Sequence, residues 1–273
     1  MLNAIGRQTT NDSSGFANIN GITMYYEIHG VGPPLVLIHG GGSTIQSSFG
    51  RIIPKLKQRW KLVCMELQAH GRTADRNIPI SFQQDAEDVY GLLKFLDIKK
   101  AYILGFSNGA NTALQLAINH PDICRKVIAG SALLKRNGTL PQFWEFMEKG
   151  SFDQMPVELK DAFLEVNPDP AALQNMYRKC AARMLNFEDF PDVQLRSIES
   201  PVLLLNGESD VATSEHMVAM AELIPHARLA ILPGGHGDYI GELCTLKPGY
   251  SDTDFAVPLI EEFLNGDDQK SIP

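Results

Sequence analysis

The 273-residue sequence lacks a long apolar run and lacks any surplus of positive charge. Its 24 lysines and arginines are outnumbered by 32 aspartates and glutamates, which gives a formal net charge of −8. Nucleic acids and anionic membranes attract basic surfaces, so an acidic chain without a basic block suits neither partner. No apolar stretch approaches the ~18 residues that cross a bilayer. We therefore expect a small-molecule partner, no nucleic acid and no membrane insertion.

Cysteine is also scarce, and the four residues of this type form no C-x-x-C pair: Cys64, Cys124, Cys180 and Cys244. Such wide spacing indicates neither a disulfide framework nor a zinc site. The N-terminal segment lacks the apolar core of a signal peptide. These features predict a cytoplasmic protein in which residues 1–14 form a loose polar leader.

Short apolar runs alternate with stretches of helical spacing along most of the chain. The run at 35–38 (LVLI) is wholly apolar, as is typical of a parallel strand buried on both faces. Strands that alternate with helices predict an α/β fold with a mostly parallel sheet and helices on both faces. No helical pattern interrupts residues 15–38, so the sheet is expected to begin with an antiparallel edge. Strands are expected near 22–28, 35–38, 61–67, 101–106, 125–133, 201–210 and 227–232, and helices near 82–97, 110–119, 214–224 and 254–264.

Residues 135–196 differ from the rest because they contain no strand-like run. Helical stretches near 141–149, 157–166 and 171–187 are separated there by prolines. An all-helical block between two strands of a sheet is most simply a lid. The expected organisation is therefore a core domain of residues 15–134 and 197–273, with a helical cap at 135–196.

Residues 105–109 read GFSNG and stand between a predicted strand and a predicted helix. In a tight strand-to-helix turn the central residue is strained, and larger neighbours two positions away would collide with the crossing elements. The central hydroxyl then lies at the carboxyl end of the sheet, above a helix N-terminus that favours negative charge. A packing turn is the alternative, because G-x-S-x-G also occurs by chance. The setting favours Ser107 as a nucleophile.

A serine hydroxyl needs a neighbouring base before it can attack a substrate. Among seven histidines, His236 lies in a glycine-rich loop after the last predicted strand, where it can reach over the edge of the sheet. Asp210 ends the preceding strand-turn segment and would orient the imidazole. Glu208, in the same turn, is the rival for that role, whereas Asp238 is expected to cap its own loop. The expected catalytic residues are Ser107, Asp210 and His236.

An oxyanion hole requires two backbone N–H groups aimed at one oxygen atom. Asn108, directly after Ser107, is expected to supply one. The other is expected from the loop at 39–42 (HGGG), where glycines let the backbone approach a substrate closely. Phosphate binding is the alternative for such a loop, but the sequence contains neither G-K-[ST] nor G-x-G-x-x-G. It contains no H-E-x-x-H motif either, so we expect no metal and no cofactor.

Four motifs in this order resemble the α/β-hydrolase fold family, in its serine-nucleophile branch: HGGG at 39–42, GFSNG at 105–109, NGESD at 206–210 and GGHG at 234–237. The resemblance covers about residues 15–134 and 197–264. It implies an eight-stranded sheet, a helical cap at the inserted block, and Gly41 as the second oxyanion donor with Gly42 as the fallback. The stretch at 65–75 departs from the family's D-x-x-G-x-G-x-S turn, and this departure leaves the assignment to a subfamily open.

The resemblance and the candidate residues together lead us to expect hydrolysis of a small, apolar carboxylic ester through an acyl-serine intermediate. Large apolar residues of the block at 135–196 would line the substrate pocket. Thioesters, amides and lactones remain open as substrates. A C–C bond hydrolase of the same fold and a non-catalytic receptor that kept the fold are the alternatives. Haloalkane dehalogenases and epoxide hydrolases of this fold are not expected, because they use aspartate where this chain has Ser107.

Overall fold

The computed structural model describes residues 12–245 and 253–266 and contains one eight-stranded sheet. The strands are β1 (Ser13–Ile19), β2 (Ile22–His29), β3 (Pro34–Ile38), β4 (Lys61–Met65), β5 (Ala101–Phe106), β6 (Cys124–Gly130), β7 (Val202–Ser209) and β8 (Ala227–Gly235). Their order across the sheet is β1-β2-β4-β3-β5-β6-β7-β8. β1 pairs antiparallel with β2, and β2 pairs antiparallel with β4. All other neighbours are parallel, which confirms the predicted mostly parallel sheet with an antiparallel edge.

Helices cover both faces of the sheet, and side chains alternate between the two faces along each strand, which explains why the central strand β3 is apolar throughout. The helices are α1 (Ile45–Phe49), α2 (Ile53–Leu56), α3 (Phe82–Phe95), α4 (Asn108–Asn119), α5 (Pro141–Lys149), α6 (Val157–Val166), α7 (Pro170–Leu185), α8 (Asp192–Arg196), α9 (Ser214–Leu223) and α10 (Thr253–Asn265). In β3, Val36 and Ile38 pack in the core formed with α3, α4 and α9. Leu35 and Leu37 pack on the opposite face with α1, α2 and α10.

The chain between β6 and β7 forms helices α5 to α8 and contributes no strand to the sheet. Among the described residues, the isolated β-bridge that this block forms is the antiparallel pair of Thr139 and Ala212. Part of this block has a small apolar core of its own, formed by Met155, Phe163, Leu173 and Met176. The block is therefore an all-helical insertion placed after the sixth strand.

The bounds of several elements differ from those that the patterns predicted. β1 begins at Ser13, inside the predicted leader, and residues 1–11 lie outside the described residues. β6 ends at Gly130 and not near residue 133, because Ser131 has a positive φ of 56°, which extended strand backbone does not adopt. α1 and α2 were not predicted, since helices of 5 and 4 residues are too short to show a helical period. No helix in residues 12–245 or 253–266 is long and apolar enough to span a membrane.

Candidate active site

Ser107 occupies the sharp turn between β5 and α4 and has an unfavourable backbone conformation, with a positive φ of 54° and a ψ of −122°. A Cβ atom at Gly105 would lie 2.1 Å from the carbonyl oxygen of Gly109. One at Gly109 would lie 2.1 Å from the carbonyl oxygen of Ile38, on the neighbouring strand. Backbone atoms cannot move aside as a flexible side chain can, so both positions require glycine. The turn presents the Ser107 hydroxyl at the carboxyl end of the sheet.

The structure brings the three residues expected to be catalytic into one hydrogen-bonded chain. His236 Nε2 lies 3.1 Å from Ser107 Oγ, and His236 Nδ1 lies 2.6 Å from Asp210 Oδ1. Because a carboxylate only accepts, Nδ1 carries the proton and Nε2 is free to accept from the serine hydroxyl. The rival Glu208 is exposed to solvent and takes no part in this chain. Asp238 accepts from the Gly235 amide at 2.6 Å, so it caps its own loop.

The charges and hydrogen bonds of Asp210 and His236 lower the pKa of Asp210 and raise that of His236. Burial alone would raise the pKa of Asp210, but hydrogen bonds from His236, Ser131 and the Gly207 amide outweigh it and lower that pKa. Burial opposes the imidazolium form of His236, yet its hydrogen bond to Asp210 and the charges of Asp210 and Glu242 raise its pKa. The His236 side chain is 36% exposed, so burial lowers its pKa less than it would for a fully enclosed imidazole. His236 is thus disposed to take up a proton.

Gly41 and Asn108, the expected oxyanion donors, both line the cavity that contains Ser107. The N–H of Asn108 is the first of α4 and has no partner within that helix. Within the part of the chain that the structure describes, the N–H groups of Gly41 and Asn108 have no protein acceptor. The two residues are in contact, since a Cβ at Gly41 would lie 2.2 Å from Asn108 Nδ2. In contrast, the Gly42 N–H donates to His70 Nε2 at 3.1 Å, so the fallback donor is already engaged.

Two buried histidines support the loop that carries Gly41. His39 Nδ1 donates to the carbonyl of Gly40 at 2.7 Å, and His39 Nε2 accepts from the Leu67 amide at 3.0 Å. His70 Nδ1 donates to the carbonyl of Gln68 at 2.9 Å. Burial lowers the pKa of His39 to about 3 and that of His70 to about 4. Both rings are therefore neutral near pH 7, and their acceptor nitrogens hold backbone amides in place.

A cavity of about 250 Å³ opens above Ser107 and His236. Its walls are mainly apolar, and seven of the apolar side chains come from the inserted helices α5 to α7: Phe143, Phe146, Met147, Leu159, Met176, Ala181 and Met184. Among the described residues, no aspartate, glutamate, lysine or arginine lines this cavity. The chain also brings together no group of three or more metal-ligating side chains within residues 12–245 and 253–266. The cavity therefore suits an uncharged, apolar group placed against the Ser107 hydroxyl.

Two residues that the sequence did not single out contact the site from behind. Ser131 Oγ lies 2.6 Å from Asp210 Oδ2, and the hydroxyl of Tyr239 lies 2.8 Å from Ser131 Oγ. Ser131 follows the end of β6, and Tyr239 comes three residues after His236. A serine just beyond a strand that neighbours the Asp210 strand was the only available signal. It could be read only once the order of strands in the sheet was known.

The sequence model of the alpha/beta hydrolase fold family matches residues 33–183 of this chain. This chain belongs to the α/β-hydrolase fold family. A pyrrolizixenacetamide deacetylase of Xenorhabdus hominickii is 23% identical over 77% of this chain and 86% of its own. A fluoroacetate dehalogenase of a Burkholderia species is 24% identical over 80% of this chain and 86% of its own. The solved structure of a 2-hydroxy-6-oxo-6-phenylhexa-2,4-dienoate hydrolase from Rhodococcus superimposes with a TM-score of 0.76 at 20% identity, covering 94% of this chain and 100% of that one.

These comparisons confirm the family resemblance drawn from the four motifs. By their names, the similar proteins are hydrolases that cleave different kinds of bond. At identities below 25% the likeness of solved structures shows the fold and leaves the substrate open. The family therefore determines the scaffold on which Ser107 is placed. The chemistry has to be argued from the residues of the site.

Proposed function

We propose that this α/β-hydrolase is a serine esterase that cleaves a small, apolar carboxylic ester through an acyl-serine intermediate. The observation that carries the proposal is the hydrogen-bonded chain from Ser107 through His236 to Asp210. An imidazole aimed at a serine hydroxyl and oriented by a buried carboxylate is the arrangement that activates a serine nucleophile. Binding alone would need no such base, so a receptor is the weaker interpretation.

In the proposed reaction, Ser107 Oγ attacks the ester carbonyl carbon while His236 Nε2 takes the hydroxyl proton. The carbonyl oxygen becomes an oxyanion, which accepts from the amides of Gly41 and Asn108. His236 then returns the proton to the departing alcohol, leaving the acyl group on Ser107. Water attacks the acyl-serine with His236 as the base again, and the acid is released. Asp210 holds the imidazole tautomer and stabilises the imidazolium in both steps.

The cavity supports the choice of a small, uncharged substrate. Its volume of about 250 Å³ falls below the range of roughly 300–1,000 Å³ that is usual for pockets holding drug-sized ligands. Among the described residues, no lysine or arginine lines the cavity to pair with a carboxylate and no aspartate or glutamate lines it to pair with an ammonium group, so the desolvation of either charge would be poorly compensated. A short or medium acyl chain loses apolar surface to the cavity walls, which favours binding.

We further propose that residues 135–196 act as a cap over a core domain of residues 15–134 and 197–273. Side chains of α5, α6 and α7 supply much of the cavity wall, whereas Ser107 and His236 come from the core. Support for this division comes from the placement of α5 to α8 between β6 and β7. A substrate in this cavity is enclosed by the cap on one side and by the carboxyl edge of the sheet on the other.

The decisive experiment combines a fluorophosphonate probe with nitrophenyl esters of increasing acyl length. The wild-type protein is expected to bind the probe covalently and to hydrolyse short and medium chains best. Ser107→Ala should lose labelling and lower kcat by about a thousandfold or more. Ser197→Ala is the matched control, because this exposed serine bonds only to its own helix end through the carbonyl of Gln194.

Each alternative predicts a different result in the same experiment. A folded wild-type protein that neither reacts with the probe nor turns over any ester contradicts the esterase and favours a receptor. Turnover of a coloured vinylogous diketone in preference to every ester would favour a C–C bond hydrolase with the same residues. Full activity of Ser107→Ala would remove the serine mechanism altogether.

A further inference from the structure

Two buried hydroxyl groups extend the hydrogen-bonded chain beyond Asp210, on the side away from His236. Ser131 Oγ lies 2.6 Å from Asp210 Oδ2, and the Tyr239 hydroxyl lies 2.8 Å from Ser131 Oγ. An ionised carboxylate only accepts, so the Ser131 hydroxyl donates to Asp210. Its oxygen is then free to accept, and the Tyr239 hydroxyl donates to it. The direction of both hydrogen bonds is therefore determined by the charge of Asp210.

The side chains of Asp210, Ser131 and Tyr239 are almost completely shielded from solvent. Tyr239 is 1% exposed, Ser131 is 4% exposed, and the Asp210 side chain is fully buried. Hydroxyl groups in such a place depend on one another for their hydrogen bonds, because water does not replace a lost partner readily. Gly130 makes the room, since a Cβ there would lie 2.6 Å from the Tyr239 hydroxyl oxygen.

The backbone of Ser131 is held in an unfavourable conformation to make this contact. Its φ of 56° lies in the left-handed region, which residues with a Cβ adopt rarely. The Ser131 N–H donates to the carbonyl of Leu205 on β7 at 2.8 Å, so the turn is tied to the strand that leads to Asp210. Strain of this kind persists where surrounding contacts enforce it, and it gathers at functional sites. Here the contacts direct the hydroxyl at the Asp210 carboxylate.

We propose that Ser131 and Tyr239 are positioning residues that hold one oxygen of Asp210 so that the other faces His236 Nδ1. The consequence for turnover rests on the proposed esterase function, whereas the consequence for the Asp210–His236 pair does not. Ser131 also borders the substrate cavity, but its hydroxyl proton is committed to Asp210.

The hydrogen bonds around Asp210 show what each donor does. Oδ1 accepts from His236 Nδ1 and from the Val211 amide, both at 2.6 Å. Oδ2 accepts from Ser131 at 2.6 Å and from the Gly207 amide at 3.1 Å. Without Ser131, Oδ2 keeps only the longer bond. The carboxylate is then less restrained in rotation and is a stronger base towards the imidazolium of His236.

The remaining titratable groups near this pair lie on other elements. His236 also faces Glu242, and Glu242 in turn faces Glu158 of α6 and Cys244. Tyr239 faces Asp210 from the short turn after His236. Substitution of Ser131 leaves these groups in place, so a change in the titration of His236 reports on the Asp210 contact.

The kinetic test compares Ser131→Ala, Ser131→Gly and Tyr239→Phe on the best nitrophenyl ester. Ser131→Ala should lower kcat roughly ten-fold, as expected for one hydrogen bond to a charged group, with KM unchanged. The acid limb of its kcat/KM profile should move to higher pH. Ser131→Gly should lose as much activity, although glycine relieves the backbone strain. Tyr239→Phe should show a smaller effect in the same direction, and Tyr102→Phe, at the opposite end of β5 from Ser107, serves as the control.

A second measurement needs no turnover and separates this proposal from the esterase proposal. The imidazole of His236 is titrated by NMR in Ser107→Ala and in Ser107→Ala with Ser131→Ala. The pKa of His236 should be higher in the double variant. If no ester is hydrolysed, the esterase proposal fails while this titration still decides the role of Ser131.

Three results would overturn the positioning role. One is an unchanged titration of His236 together with an unchanged kcat in Ser131→Ala. Another is recovery of full activity in Ser131→Gly, which would mean that the backbone and not the hydroxyl matters. The third is a Tyr239→Phe protein that behaves as the wild type in both measurements. If Ser131→Ala does not fold, Ser131→Gly and Tyr239→Phe decide the question.

Discussion

Ser107 and Ser131 both have a positive φ, which is uncommon for residues with a Cβ, at the ends of two neighbouring strands. Both have φ near 55°, at 54° and 56°, and both directly follow strands that pair in parallel. Each such residue costs on the order of 1–3 kcal/mol of strain, which the surrounding structure has to offset. At Ser107 the close approach of glycines to neighbouring backbone makes the turn possible. The two hydroxyls consequently lie on the same edge of the sheet, one towards the cavity and one towards Asp210.

Replacement of Gly105 tests how tightly the Ser107 turn is packed. In Gly105→Ala the new Cβ would lie 2.1 Å from the Gly109 carbonyl oxygen, so the turn must shift. Overpacking of this kind costs about 1–3 kcal/mol, and we expect the Tm to fall by several degrees. Gly235→Ala is the control, because its Cβ would find its nearest atom at 3.5 Å. Equal melting temperatures of the two variants would contradict the steric argument.

The pH dependence of activity follows from the pKa of His236. A base must be neutral to accept the serine proton, so activity is lost as pH falls through its pKa. Asp210 raises that pKa above the ordinary value of 6.5, against the effect of burial. We expect the acid limb of kcat/KM to have its midpoint above pH 6.5. A midpoint below this value would mean that burial outweighs Asp210.

Helix α7 forms ion pairs with residues outside the inserted block, whereas α5 packs Phe143 and Trp144 against the main apolar core. Arg183 of α7 forms an ion pair with Asp85 of α3 at 2.7 Å, and Lys179 of α7 contacts Asp75 at 2.8 Å. Cys180 Sγ, also on α7, lies 3.3 Å from His70 Nε2. α5 has no buried residue. α7 is therefore a firm wall of the cavity, whereas α5 lies largely on the surface.

The Arg183–Asp85 pair provides a test of these contacts. Both side chains are almost completely buried, and burial raises the pKa of Asp85 despite the nearby guanidinium. Removing one partner leaves the other unpaired, so Arg183→Met alone and Asp85→Leu alone should each lose about 3 kcal/mol of stability. The double variant should recover most of this loss. Urea unfolding of all four proteins measures it, and a double variant that loses the sum of both singles would contradict the pairing.

Acid should destabilise the whole molecule before its carboxylates are protonated. His39 and His70 are neutral and buried, with pKa values of about 3 and about 4 against 6.5 for a free histidine. The unfolded chain therefore binds more protons below pH 6.5, and stability present above that pH is lost as pH falls towards 4. The loss for His70 alone is on the order of 3 kcal/mol.

Urea unfolding at several pH values from 7 to 4 checks this expectation. His70→Gln should be less stable at pH 7 but should show a weaker pH dependence, because it removes one of the three buried histidines whose pKa burial lowers, the third being His216. The exposed His226→Gln is the control. A wild-type stability that stays constant between pH 6.5 and 4 would contradict the neutral, buried state of both rings.

The fold and part of the site could be predicted because their signals are local. Runs such as 35–38 and 101–106 are apolar enough to indicate strands buried on both faces, and the structure contains both strands. The elbow at 105–109 is recognisable because steric conflict limits two positions to glycine. Such signals are missing from α1 and α2, because these helices are too short to show a helical period. They are missing from β1 because only Ala17 and Ile19 are buried, so the strand has no apolar run.

The sequence by itself determined the α/β class, the family and the residues expected to be catalytic, because periodicity and glycine spacing act over a few residues. Only the tertiary structure decided which groups meet across the sheet. Ser131 and Asp210 are 79 residues apart, and Tyr239 and Ser131 are 108 apart, so their contacts follow from strand order and not from any local pattern. The contact between the Gly42 amide and His70 also depends on the tertiary structure, because His70 lies in the turn after β4. With the Gly42 amide engaged, Gly41 remains as the free donor of this loop among the described residues.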